Sequence, residues 1–175
     1  MENTNDKYVL DFQKARNWLL IMMVATLVSC GLFAAGFVFR VPFSASMPLD
    51  VLFAAGGMAL YYGNEAYWLG GIIFAFFIVF MYLLFWVLSK RRRVLMVFAL
   101  IFFIVDTVFL GAGFLGTISE AALWSVFLSI GLHGWILFCL IKGTIAWAKL
   151  RGVTYEQFIQ DLIRLAKEAR NQARS

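Results

Sequence analysis

The sequence predicts an all-α integral membrane protein: a four-helix transmembrane bundle followed by a C-terminal cytoplasmic amphipathic helix. Of its 175 residues, 63 % are hydrophobic and 14 % are charged, whereas a soluble domain is about half apolar and about a quarter charged. Four apolar runs reach the roughly 20 residues that a helix needs to cross a bilayer. The basic residues also lie on one side of those runs, as in multispan membrane proteins.

The four runs define the spans of a transmembrane domain over residues 1–152. They cover about 18–39, 67–88, 94–115 and 122–147. The first run is longer than the roughly 7–15 apolar residues of a signal peptide, so we expect a retained span. Five tryptophans lie near the predicted span ends, where aromatic residues collect at the membrane interfaces: Trp18, Trp68, Trp86, Trp124 and Trp147.

The basic residues predict the orientation of the chain. Fourteen of the fifteen lie in the N-terminal segment, in the loop Lys90–Arg93 or from Lys142 onward, and Arg40 is the exception. Cytoplasmic loops of membrane proteins carry such an excess, so we expect both termini in the cytoplasm and a plasma-membrane location. The net charge of +5 is then explained by topology, which argues against a nucleic-acid partner.

The first outer loop contains a further apolar segment at residues 48–62. It is too short for a span and is interrupted by Gly56 and Gly57. We expect a helix lying on the outer surface or dipping into it, starting at Ser46 and ending near Gly63–Asn64. A packed cap over the bundle and a re-entrant lid both fit this pattern.

Residues 153–175 predict a cytoplasmic amphipathic helix. Thr154 and Gln157 have the spacing of a capping box, and apolar residues from Tyr155 to Ala169 recur on one face. Such a helix lies at the membrane surface, pairs with a partner helix or folds back on the bundle.

One acid, Asp106, lies inside the third predicted span, within "IFFIVDTVFL". An Asp near the bilayer centre costs roughly 2.5–3.5 kcal/mol on insertion scales. The Leu, Ile, Val and Phe residues of the same span offset that cost, so insertion alone does not require a partner for the carboxylate. At ~1.5 Å per residue, Asp106 lies about 20 Å from Arg93, slightly beyond the membrane midplane.

The fourth span offers partners for this acid. Ser125, Ser129 and His133 follow each other at i, i+4 and i+8 on one helix face. Counting residues from the connecting loop places Ser129 level with Asp106 and His133 one turn nearer the cytoplasm. Small residues, Gly111 and Gly113, would let the two helices approach closely. We therefore predict an intramembrane polar cluster of Asp106, Ser129 and His133, either as interhelical glue or as a proton or cation relay.

The same residues argue against most catalytic chemistry. The chain has one histidine and two cysteines, Cys30 and Cys139, without a CxxC pair, so we expect no metal, no haem, no other cofactor and no disulfide framework. Ser129 and His133 can touch along a helix, but no oxyanion site is evident beside them. No phosphate-binding loop or HExxH motif occurs. We therefore expect no catalytic residues.

The second half of the chain, Val94 to Arg151, resembles small four-span bacterial membrane proteins of uncharacterised function. "FFIVDTVFL" and "LHGWILFCLIKG" carry this resemblance, which implies a bacterial plasma-membrane location and no particular activity. The expected function is a non-enzymatic accessory or structural membrane component in the lipid bilayer, with a membrane-protein partner or a second copy of the chain. The alternative is a small proton- or cation-coupled transporter or channel subunit that uses Asp106 and His133. A membrane-embedded enzyme ranks third.

Overall fold

The computed structural model describes residues 4–37, 41, 44–115 and 123–173, without the side chains of residues 4, 112–115 and 123–126. Within these residues the chain forms six helices and no strand, which confirms the all-α class. The helices are α1 (Thr4–Ala34), α2 (Ser46–Tyr62), α3 (Ala66–Leu88), α4 (Leu95–Leu115), α5 (Leu123–Lys149) and α6 (Tyr155–Gln172).

Three of these helices contain described stretches that are long and apolar enough to cross a membrane. They are Asn5–Ala34, Ala66–Leu88 and Phe127–Lys149, while the apolar stretch Leu95–Gly111 of α4 is shorter. By this criterion the described residues hold three spans, one fewer than the four expected from the sequence. The missing one is α4, whose last side chains lie outside the described residues.

The surface of α3 shows why the bundle suits a lipid environment. One face of this helix is buried against its neighbours through residues such as Ile78 and Tyr82, while Ile73, Phe76 and Phe80 are more than half exposed. Soluble proteins rarely expose apolar patches of this kind. Hydrocarbon chains around the bundle would cover them without cost.

The first helix is longer at its start, and shorter at its end, than the predicted span. It begins at Thr4 because Val9, Phe12 and Ala15 continue its buried face toward the N-terminus. It ends at Ala34, where Gly36 adopts a positive φ of 86°. The amides of Gly36 and Phe37 then bond back to the carbonyls of Phe33 and Leu32 in a Schellman motif. The predicted end near residue 39 lies outside the described residues.

Small residues set the closest helix contacts, at positions that the sequence analysis did not single out. Gly143 of α5 lies directly against Ala15 of α1, and Gly71 of α3 lies against Ala55 of α2. A Cβ atom at either glycine would overlap its neighbour, so each glycine permits a close antiparallel approach. Gly111, which we expected at such a contact, faces open space, and the surroundings of Gly113 lie outside the described residues.

The last helix, α6, folds back on the end of the bundle that carries both termini. Thr154 and Gln157 make both hydrogen bonds of the capping box that begins it. Phe158 is fully buried and packs edge-on against Phe12 of α1, with ring centroids 5.6 Å apart. The structure thus shows the fold-back on the bundle, one of the three placements left open by the sequence.

Candidate functional site

The described residues just before α2, Val41, Ser44 and Ala45, lie against α1. The Thr26 hydroxyl accepts a hydrogen bond from the amide of Ala45 at 2.7 Å, and the Ser29 hydroxyl accepts one from Val41 at 3.0 Å. Ser44 is buried in this segment. The two hydroxyls of α1 therefore replace water as partners for a backbone that lies between helices.

The helix that follows, α2, begins without a cap of its own. Its N-cap residue is Ala45, which has no side chain able to accept a hydrogen bond. The first helical amides have no partner within a helix and need one from elsewhere. Pro48 has no N–H, so the first three helical positions offer only the amides of Ser46 and Met47.

Asp106 of α4 supplies the missing cap from another part of the chain. Its Oδ2 accepts from the amide of Ser46 at 3.0 Å, and its Oδ1 accepts from the amide of Met47 at 2.7 Å. The side chain is completely buried. A carboxylate at a helix N-terminus is also favoured by the partial positive charge there, so the acid and the uncapped helix satisfy each other.

This contact between Asp106 and the amides of Ser46 and Met47, here called the Asp106 junction, lies deep in the bundle. Asp106 is ten residues along α4 from Met96, which packs beside the contact between Ala15 and Gly143. At ~1.5 Å per residue the carboxylate is roughly 15 Å from that level, about half the ~30 Å thickness of the hydrocarbon core. The N-terminus of α2 therefore lies near the middle of the bundle. From there the helix runs alongside α3 toward the turn that joins the two helices.

His133 of α5 completes the junction. Its Nε2 lies 3.4 Å from Asp106 Oδ2 and 3.5 Å from the Ser46 hydroxyl. Its Nδ1 lies 3.0 Å from the carbonyl oxygen of Ser129. Because a carbonyl only accepts, the contact with Ser129 favours the tautomer in which Nδ1 is the donor, and Nε2 then faces Asp106 and Ser46. Phe103 stacks on the imidazole at 5.4 Å between ring centroids and holds its plane.

The structure brings Asp106 and His133 together and gives Ser129 a different role from the expected one. Ser129 contributes its main-chain carbonyl to His133, and the side chain of Ser125 lies outside the described residues. Helical side chains lean toward the N-terminus of their own helix. In the antiparallel α4 and α5 the two side chains therefore lean toward each other and meet across the one-turn offset that residue counting gave.

The sequence analysis missed the contribution of α2. The contact joins positions 59 and 60 residues apart, so no local pattern reveals it. One signal was available: a helix start at Ser46 preceded by Ala45 and followed by Pro48 has no local acceptor. A helix of this kind in an apolar environment needs an acceptor from elsewhere, and Asp106 is the one acid inside the predicted spans.

Two further polar groups belong to the surroundings of this junction. The hydroxyl of Tyr82 is buried within electrostatic range of Asp106, and the hydroxyl of Ser44 is buried two residues before Ser46. Neither oxygen has a hydrogen-bond partner among the described residues. The carboxylate of Asp106 and the imidazole of His133 thus meet in an apolar interior, where they can hold backbone in place or hold a proton. Among the described residues there is no group of three His, Cys, Asp or Glu side chains that could hold a metal ion.

Comparison with known proteins returns no matching family model, curated protein or solved structure. The resemblance to small bacterial membrane proteins therefore stays a prediction.

Proposed function

We propose that the protein is a non-enzymatic accessory or structural component of a membrane, in which Asp106 anchors a re-entrant helix. The observation that supports this role is the use of both carboxylate oxygens as acceptors for the first two amides of α2. An acid committed to two backbone hydrogen bonds in a fully buried position is suited to holding a structure in place. Removing it would leave two amides without partners at mid-membrane depth.

The proposed topology has four spans, formed by α1, α3, α4 and α5, with both termini in the cytoplasm. The apolar stretch of α4 is short, but the helix runs beside α5 from the level of Met96 to the contact between Asp106 and His133. A plasma-membrane location follows from the basic residues at the ends of the spans. The exposed apolar faces of the bundle would contact lipid, a membrane-protein partner or a second copy of the chain.

A proton- or cation-coupled transporter or channel subunit is the second candidate. It is favoured by the position of the His133 imidazole, whose Nε2 lies 3.4 Å from Asp106 Oδ2. The His133 side chain is only 3 % exposed. The buried Tyr82 hydroxyl is a further group that could take part in passing a proton. Intramembrane acids and histidines often belong to such relays.

Substitution of Asp106 tests both roles. We expect Asp106→Ala to lower the free energy of unfolding in detergent by about 2–4 kcal/mol, because two buried amides and a helix N-terminus lose their acceptor. Asp106→Asn keeps one acceptor oxygen and should lose less. Thr107→Val, one residue away, should have little effect, because the Thr107 hydroxyl donates to the Phe103 carbonyl, which already belongs to the same helix.

Flux measurements on the same proteins separate the two candidates. In liposomes, the anchoring role predicts no proton or cation flux above that of empty vesicles for either wild type or Asp106→Asn. Flux in the wild type that disappears in Asp106→Asn, with unchanged stability, would replace the structural role with the transport role.

A further inference from the structure

A small cavity opens between α1 and α5, near the end of the bundle that carries both termini. Its volume is about 80 Å³. The lining combines two cationic side chains, one acid, two aromatic rings and a thiol: Lys14, Lys142, Asp11, Trp135, Phe138 and Cys139. It is distinct from the Asp106 junction, with which it shares no side chain.

The two lysines are positioned as a pair by the packing of the helices. Lys14 precedes Ala15 and Lys142 precedes Gly143, and these small residues form the close contact between α1 and α5. Both lysine side chains line the cavity beside this contact. Lys14 Nζ lies 5.6 Å from the centre of the Trp135 ring, and Lys142 Nζ lies 4.6 Å from that of Phe138.

The cavity lies where the apolar part of the bundle ends. Arg16, two residues from Lys14, donates a hydrogen bond to Ser89 at the C-terminus of α3, so the pair of lysines is level with the end of that span. Trp135 and Phe138, toward the bundle interior, are 44 % and 48 % exposed. The site thus offers positive charge at the membrane surface and aromatic faces on the hydrocarbon side.

We propose that this cavity binds an anionic phospholipid, with the headgroup phosphate between Lys14 and Lys142 and the start of the acyl chains on Trp135 and Phe138. Two lysines against Asp11 leave one net positive charge for the phosphate, and basic pockets between spanning helices bind anionic headgroups in this manner. A free phosphate ion would gain nothing from the aromatic faces. The site is independent of the proposed anchoring role of Asp106.

Lipid titration of the full-length protein in detergent, followed by native mass spectrometry, tests this site. The wild type should retain one phosphatidylglycerol at concentrations at which phosphatidylcholine does not bind. Lys14→Gln and Lys142→Gln should each weaken the retention about five-fold, the effect of one lysine near an anionic membrane surface. Lys149→Gln is the matched control, because it makes the same change on α5 outside the cavity, and it should have no effect.

A variant that binds the lipid more tightly excludes unfolding as the explanation for the losses in the lysine variants. Asp11→Asn removes the competing carboxylate and should strengthen phosphatidylglycerol retention about five-fold, which a damaged protein would not do. Equal binding of phosphatidylcholine, equal losses in Lys149→Gln, or displacement of the lipid by inorganic phosphate at the same concentration would each overturn the proposal.

Discussion

At the scale of single residues, Asp106 and the first amides of α2 are hydrogen-bond partners in the bundle interior. A carboxylate in a span costs roughly 2.5–3.5 kcal/mol, and an uncapped helix N-terminus in hydrocarbon leaves amides without partners. Joined at 2.7 and 3.0 Å, each supplies the partner that the other lacks. In the proposed four-span topology, these contacts would account for an acid inside a span without a water-filled path beside it.

Thr26 has the corresponding role for the residue before that helix. Its hydroxyl donates to the Met22 carbonyl and accepts from the Ala45 amide, both at 2.7 Å. We expect Thr26→Val to lower the free energy of unfolding in detergent by about 1–3 kcal/mol, because the buried Ala45 amide loses its acceptor. Thermal or denaturant unfolding of the purified protein measures this loss.

The matched control for that change is Thr144→Val. The Thr144 hydroxyl donates to the Leu140 carbonyl, which already belongs to the same helix. No orphaned amide results, so we expect a nearly neutral effect. Similar losses for both variants would mean that the hydroxyl of Thr26 does not hold the segment in place.

The sequence could predict part of the site at this scale. Counting residues from the connecting loop is enough to place Asp106 beside α5, because helix rise is regular. It cannot predict that Ser46 and Met47 donate to the same carboxylate, since that depends on where the start of α2 lies in the bundle. The hydroxyls of Thr26 and Ser29 make this possible, but Ser and Thr in a span often bond only to their own helix.

At the scale of helices, Arg93 joins the loop before α4 to the start of α6. Its guanidinium donates to the carbonyls of Leu150 at 2.8 Å and Thr154 at 3.1 Å. It also lies 4.8 Å from the centre of the Phe158 ring. Burial lowers the pKa of Arg93, yet an arginine remains charged at neutral pH, so these contacts persist under ordinary conditions.

Loss of Arg93 should therefore loosen α6. We expect Arg93→Gln to reduce the local stability of this helix by about 2 kcal/mol, because two hydrogen bonds from a charged donor are removed. That corresponds to roughly 30-fold faster amide exchange in α6. Hydrogen–deuterium exchange measures the change, and the exposed Arg92 gives the control variant Arg92→Gln. Equal protection of α6 in Arg93→Gln and wild type would contradict this role.

A second contact joins α6 to the bundle through an arginine that stays charged across the neutral pH range. Arg164 donates to Asp6 near the start of α1, and this hydrogen bond raises the pKa of Arg164. Stability from a raised pKa is present below the unfolded value and is lost only as the pH rises through the folded one. Since arginine already titrates above about pH 12, its ionisation adds no pH dependence near neutrality.

Helix boundaries could be predicted where a local signal marks them. The capping box at Thr154 and Gly63 after Tyr62 mark the start of α6 and the end of α2. The start of α1 could not be placed by its hydropathy, since its first turns are held by packing of Val9 and Phe12 against other helices. The length of an apolar run predicts which residues lie in lipid, but it does not predict the residue at which the helix begins.

At the scale of the whole molecule, charge and packing point to the same topology. Basic residues collect at the N-terminus, in the loop Lys90–Arg93 and after Lys142. Arg16 and Arg93 then join these three regions by hydrogen bonds to Ser89 and Leu150. The regions therefore lie together at one end of the bundle, while the turn between α2 and α3 lies at the other. We therefore expect an even number of membrane crossings, as in the proposed four-span topology.

Cysteine labelling in a background of Cys30→Ala and Cys139→Ala tests that topology. In intact cells, an impermeant thiol reagent should label Asn64→Cys between α2 and α3, because we expect that turn outside. Lys7→Cys, Lys90→Cys and Arg170→Cys should label only after permeabilisation, since positive-inside placement keeps all three in the cytoplasm. If α4 did not cross the membrane, Lys7→Cys and Arg170→Cys would label from opposite sides. Labelling of Lys90→Cys in intact cells would likewise contradict the four-span arrangement.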